Sequence, residues 1–194
     1  MEVVTRKRLS ADDWTAAALS ALADGGLAAV AVEPIAARLG TTKGSFYWHF
    51  TGRDALVAAT LLHWERAETV DVIAATDAEP DVMARLRKLF TLALEDRPGT
   101  AAGARVELAL QPTAGHPLVA PVLERVTQRR LGYLTTQFGE LGFERTEARR
   151  RATIAYSAYL GHVQLMHATP DVVPDGAGVA GYVDAVLMTL TSSG

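Results

Sequence analysis

Between residues 40 and 56 the chain reads GTTKGSFYWHFTGRDAL, and this stretch gathers side chains suited to contact with another surface. At about 100° per residue, Phe46 and Phe50 fall one turn apart on a shared face. Gly44 and Trp48 lie nearly opposite them, with Ser45 on one flank and Tyr47 on the other. The phenylalanines can anchor such a helix inward. The outer face then carries a lysine, a glycine, two hydroxyls and an indole. A helix that meets only water normally shows long charged side chains. Short donors and flat rings suit close approach to a second surface, and double-stranded DNA offers matching chemistry. Lys43 can donate to guanine O6 or N7, Thr42 and Ser45 can bond bases or phosphates, and the Trp48 ring can rest on a thymine methyl or on sugar carbons. The plainer alternative is that these groups only cap and solvate a surface helix.

The elements around this stretch are those that would hold it in place. Pro34 suits the first turn of a helix, and Ile35, Ala36 and Leu39 make its apolar stripe. Gly40 follows as the usual residue beyond a helix end. Thr42 is placed to cap a second helix starting at Lys43. Helix, tight glycine turn, helix is the arrangement whose second helix enters the major groove. Before it, Ser10 and Asp13 have the spacing of a capping box. Trp14, Ala17, Ala18, Ala21 and Leu22 then follow the helical template, and Asp24-Gly25-Gly26 ends that helix. Trp14 reads as core. Residues 1–52 are therefore expected to form a three-helix DNA-binding head.

The stretch resembles the signature of the TetR family of bacterial regulators. Gly40, Thr42, Lys43, Gly44, Ser45, Phe46, Tyr47, His49, Phe50, Arg53, Asp54 and Leu56 match its pattern, and the Lys-Gly and Tyr-x-His-Phe spacings make the match specific. The chain departs from it at Thr41, where an apolar residue is usual, at Ala31, where a Thr often caps, and at Thr51, where a base is common. The resemblance implies phosphate clamps at Tyr47, His49 and Arg53. It implies a homodimer on a pseudo-palindromic operator, with a small-molecule effector releasing the DNA. Residues 53–194 are then the ligand-binding and dimerisation body. A pocket there is expected to be lined by Trp64, Phe90, Leu110, Tyr133, Tyr156, Tyr159, His162 and Met166, whose rings with polar tips suit an apolar or aromatic molecule. Each of these residues is equally well explained as core or dimer seam.

The rest of the chain agrees with an all-α fold. Helical patterns run over 53–76, 80–96, 101–110, 118–141, 145–168 and 179–190, broken at Arg97-Pro98-Gly99, at 111–117, at Gly142 and at 170–178. Residues 145–168 carry two apolar stripes, 148-152-155-159-163-166 and 156-160-163-167, and so need two covering partners. Ala155, Ala158 and Gly161 would allow close helix approach. No segment alternates with period two for long enough to suggest a strand.

Composition excludes several functions. Of the 194 residues 49% are apolar and 21% charged, which is ordinary for a globular protein. There is no cysteine, hence no disulfide and no thiol nucleophile. His162 and His167 are five apart, about 140° around a helix, and cannot chelate a metal as an i, i+4 pair would. No P-loop, nucleophile elbow or zinc motif is present, so neither a catalytic site nor a cofactor is expected. The N-terminal residues have basic side chains but no following apolar run, and no membrane span is foreseen, so a cytoplasmic protein is expected. The net charge is −3. Its distribution matters more: Arg6, Lys7 and Arg8 lie on an N-terminal arm, Lys43 and Arg53 bracket the candidate recognition helix, and most acids fall later. The rival class is a helical carrier or enzyme that ignores DNA, which would leave residues 40–56 without a purpose. An activator fits the same sequence as well as a repressor does.

Overall fold

The computed structural model describes residues 9–94 and 101–192, the side chains of 101 and 102 excepted. The described residues are helical, without a strand. The head contains α1 (Ala11–Ala29), α2 (Val32–Arg38) and α3 (Lys43–Phe46). The body follows as α4 (Arg53–Glu65), a π-helical segment Arg66–Val70, α5 (Asp71–Asp77), α6 (Val82–Leu94), α7 (Ala101–Leu110), α8 (Ala120–Glu140), α9 (Arg145–Ala168) and α10 (Gly178–Thr191). No helix among the described residues is long and apolar enough to cross a membrane. The arm at Arg6–Arg8 and the break at Arg97-Pro98-Gly99 lie outside the described residues.

Local sequence accounts for most boundaries. The capping box forms: the Asp13 N–H donates to Ser10 Oγ at 3.2 Å, and the Ser10 N–H donates to Asp13 Oδ2 at 2.7 Å. Asp24-Gly25-Gly26 kinks the first helix rather than ending it. Gly25 and Gly26 leave the helical region, Gly26 with φ 68°, and the chain then resumes to Ala29. α2 closes in a Schellman turn. Gly40 takes φ 64°, its N–H donates to the Ala37 carbonyl at 3.0 Å, and the Thr41 N–H donates to that of Ala36 at 2.9 Å. Asp81 caps α6, accepting from the Ala84 N–H at 2.8 Å. The helix expected over 53–76 is interrupted by the π segment, which fits one extra residue into a turn.

Two apolar clusters hold the molecule together. One joins Trp14, Leu22, Ile35 and Phe46 of the head to Leu61, Trp64, Val106, Leu110, Val122 and Val126 of the body. The other joins Leu86 and Phe90 of α6 to Phe138 of α8, Ala148, Ala152 and Ala155 of α9, and Val183 and Leu187 of α10. The stripe 148-152-155-163 of α9 is buried inside the subunit, so Ala155 is not a seam residue. The stripe left uncovered is a different one, Ile154, Ser157, Ala158, Gly161 and Leu165.

Candidate DNA-binding face and effector cavity

Phe46 is the anchor of the recognition segment. It is 0% exposed, with its ring 5.3 Å from Trp14, edge to face, and 5.5 Å from Phe50, stacked. The Phe50 N–H donates to the Phe46 carbonyl at 3.0 Å, which continues the helical turn past the end of α3. This inward grip fixes what faces out. Trp48 is 82% exposed and Tyr47 57% exposed. Thr42, Lys43 and Gly44 are exposed, and Ser45 and His49 partly so. A large indole held in water by a buried phenylalanine two residues earlier is costly unless something covers it.

Three details differ from expectation. Thr42 sits at the N-cap of α3 with extended backbone, but its side chain makes no capping bond there. Its hydroxyl is thus not committed to its own helix. Lys43 does not stand alone: its Nζ donates to Glu33 Oε1 of α2 at 2.8 Å, which raises the lysine's pKa and lowers the carboxylate's. Arg53, expected as a phosphate clamp, is also engaged within the head. Its Nε donates to the Val30 carbonyl at 2.7 Å and its NH2 to that of Leu27 at 2.6 Å. Those carbonyls lie at the C-terminal end of α1, where the helix leaves its last acceptors open, and Arg53 engages them while tying the start of α4 to the head.

The body holds a cavity of about 100 Å³ between the π segment, α6, α8 and α9. Phe90, Tyr133, Tyr156, Tyr159 and Met166 line it. Trp64, Leu110 and His162 do not. Trp64 and Leu110 belong to the cluster shared with the head, and the Trp64 Nε1–H donates to the Gly103 carbonyl at 3.1 Å. His162 is buried, donates from Nε2 to the Leu94 carbonyl at 3.3 Å and stacks on Tyr182 with centroids 5.4 Å apart. Burial pulls its pKa down.

Sequence reasoning missed the polar cluster beside the cavity. Glu107 of α7 is 2% exposed and accepts from Arg130 NH1 at 2.8 Å, Tyr159 Oη at 3.0 Å and Tyr156 Oη at 3.1 Å. Arg130 of α8 also donates from Nε to Thr69 Oγ1 at 3.1 Å and from NH2 to the Glu68 carbonyl at 3.1 Å. Its guanidinium carbon lies 5.4 Å from the Tyr159 centroid and 5.9 Å from those of Trp64 and Tyr156. Burial opposes the Arg130 charge, but Glu107 and the two phenols outweigh it, so its pKa is raised. Tyr159 and Tyr156 are held up by burial and then by Glu107, and Tyr133 by burial and then by Asp77, which its hydroxyl bonds at 2.9 Å. Glu68 and Thr69, from the π segment, complete the wall, and burial followed by repulsion from Glu107 raises the Glu68 pKa against the pull of Arg130. A signal existed for these residues. Arg130 falls four residues from both Val126 and Leu134, and Glu68 four after Trp64, so both charges interrupt apolar stripes.

Residues 15–60 match the model of the bacterial regulatory proteins of the tetR family. No curated protein sequence matches the chain. Among solved structures, a transcriptional regulator from Rhodococcus is 19% identical, with a TM-score of 0.79 over 94% of this chain and 96% of that one. A regulator from Saccharomonospora viridis in complex with choline is 18% identical, with a TM-score of 0.71 over 91% of this chain and 93% of that one. AibR, in complex with isovaleryl coenzyme A and operator DNA, is 19% identical, with a TM-score of 0.64 over 89% of this chain and 97% of that one. Residues 15–60 thus match the DNA-binding segment of tetR-family regulators, on a head whose buried Phe46 turns Trp48 and Tyr47 outward, and the chain as a whole has the fold of solved transcriptional regulators.

Proposed function

We propose that the protein is a cytoplasmic homodimer that represses from a pseudo-palindromic operator and is released by a small molecule bound in the body. The observation that carries the DNA site is the two-faced segment 43–50, with Phe46 fully buried and Trp48 almost fully exposed. Thr42, Lys43, Ser45 and Trp48 are the base-reading candidates, with Gly44 permitting close approach. Tyr47 and His49 hold phosphates. The dimer places two such segments about 34 Å apart, one helical turn of DNA.

Uncovered small-residue stripes support the dimer. Ile154, Ser157, Ala158, Gly161 and Leu165 are exposed along α9, and Gly181, Ala185 and Met188 along α10. Their three- and four-residue steps draw one line on each helix. A second copy of the same helix pair covers both lines.

The route from effector to DNA follows α4. Arg53 fastens its first turn to the head, and the π segment at its far end supplies Glu68 and Thr69 to the cavity wall. A molecule that fills the cavity favours one setting of this rod. It weakens DNA binding to the extent that it prefers the setting the operator does not. The choline and isovaleryl coenzyme A complexes of proteins with this fold support a small-molecule effector for this chain. Replacing Lys43 and Tyr47 together with alanine should abolish a specific gel shift while the sedimentation of the dimer stays unchanged. An undiminished shift would refute the site.

A further inference from the structure

The cavity's charges do not balance within the protein. Arg130 and Glu107 cancel one another, and both are engaged: Glu107 accepts from three donors, while Arg130 also donates to Thr69 and the Glu68 carbonyl and is packed among three rings. The Glu68 carboxyl remains. It lines the cavity, and it lies so close over the α7 backbone that a Cβ on Gly103 would stand 2.0 Å from its Cδ. Its nearest cation is already matched to Glu107, and Glu107 itself repels it. A partly buried carboxyl without a counter-charge is costly as an anion, and whatever brings a positive charge beside it is correspondingly favoured. The remaining walls suit the other half of such a molecule, since Ile73, Leu89, Phe90 and Met166 are apolar. The space is of the order of a single ring, somewhat under the roughly 150 Å³ of a cavity that accepts benzene.

We propose that the effector is a small organic cation, whose charge sits on the Glu68 carboxylate while its apolar body fills the space against Phe90 and Met166. This deepens the effector reading above and rests on it. An anion would face Glu68 in the wall, and Arg130, the cation among the described lining residues, is already paired with Glu107. A neutral molecule would leave Glu68 uncompensated. Gly103 is the positioning residue, because any side chain there displaces the carboxyl from its bed.

The test uses three probes of nearly one size: benzylamine, benzyl alcohol and benzoate, titrated calorimetrically into the full-length dimer at neutral pH. Benzylammonium should bind at least about tenfold more tightly than the alcohol, about 1.4 kcal/mol, and benzoate least of all. Glu68→Gln should bring the amine and the alcohol within about twofold of each other. Gly103→Ala, which keeps the charge but moves it, should weaken the amine and spare the alcohol. Equal binding of amine and alcohol by the parent, tightest binding of benzoate, or an amine preference that survives Glu68→Gln would each overturn the assignment while leaving an effector cavity in place. If none of the three binds, the effector reading of this cavity falls, and the assignment with it.

Discussion

Replacing Glu107 with alanine interrogates the buried polar centre directly. The substitution strands the Arg130 cation among Trp64, Tyr156 and Tyr159 and leaves two phenolic hydroxyls without their acceptor. Breaking a buried ion pair from one side costs about 3–5 kcal/mol. Glu68 offsets part of this, because its carboxyl is already attracted to Arg130 and no longer competes with a second acid. The lower end, about 3 kcal/mol, is therefore expected. For a chain of this length each kcal/mol moves the melting temperature by roughly 2–4 °C, which gives a fall of roughly 6–12 °C. Urea and thermal melts at one fixed protein concentration measure it, since the stability of any self-associating chain depends on concentration. In a Glu68→Gln background the loss should grow, because the substitute partner is gone. Adding Arg130→Met to Glu107→Ala should instead recover part of it, because no cation is left stranded. A melting point within about 1 °C of the parent, or a double substitution that simply sums the two single losses, would refute the reasoning.

Phe46→Ala should cost about 3–5 kcal/mol, whereas Trp48→Ala should change stability by less than about 0.5 kcal/mol yet weaken operator binding. Calorimetry beside a gel shift separates the two, and equal melting losses would contradict the inward and outward assignment. Glu33→Gln frees Lys43 and removes an acid from the DNA-facing surface. Operator affinity should rise and its salt dependence steepen by roughly one phosphate contact, read by fluorescence anisotropy across a salt series. Glu68 holds its proton more tightly folded than unfolded, because burial and Glu107 outweigh Arg130. The parent should therefore lose stability as pH rises above the ordinary carboxyl range of about 4.3, and Glu68→Gln should not. Melting curves of the two should converge in acid and separate at alkaline pH, with the variant higher; the reverse order would be inconsistent with the burial of this acid.

The head was readable because its information is local. The capping box, the glycine turn and the Phe46/Trp48 opposition all follow from spacings within a few residues. The internal bonds of Arg53 were not legible for the complementary reason. A motif says which position carries a cation but not what that cation meets, and the carbonyls of Leu27 and Val30 are presented because α1 ends there and Pro34 has no N–H to offer the second of them. The aromatic set divided along a line no periodicity could supply. α7 and α4 both pack on α1, which carries Leu110 and Trp64 into the head's cluster and leaves Phe90 and the α9 tyrosines to the cavity. Glu68, Glu107 and Arg130 were passed over because a search for apolar stripes steps over charges. The interruption was itself the sign, since a charge inside a buried stripe must find a partner. On α9 the pattern showed that more than one face is apolar, but packing alone decided that Ala155 turns inward and Ala158 outward.

The cluster that runs from Trp14 through Trp64 to Val126 has a practical consequence for anyone exchanging parts between relatives of this fold. A chimaera cut at residue 52 would transplant a reading head without the floor it stands on, leaving Val106, Leu110, Val119 and Val122 to meet a foreign underside. Grafts that keep α7 and the first two turns of α8 with their native α1 should remain soluble where the shorter ones precipitate, because the joint is a mortise cut into both pieces and not a hinge pinned between them.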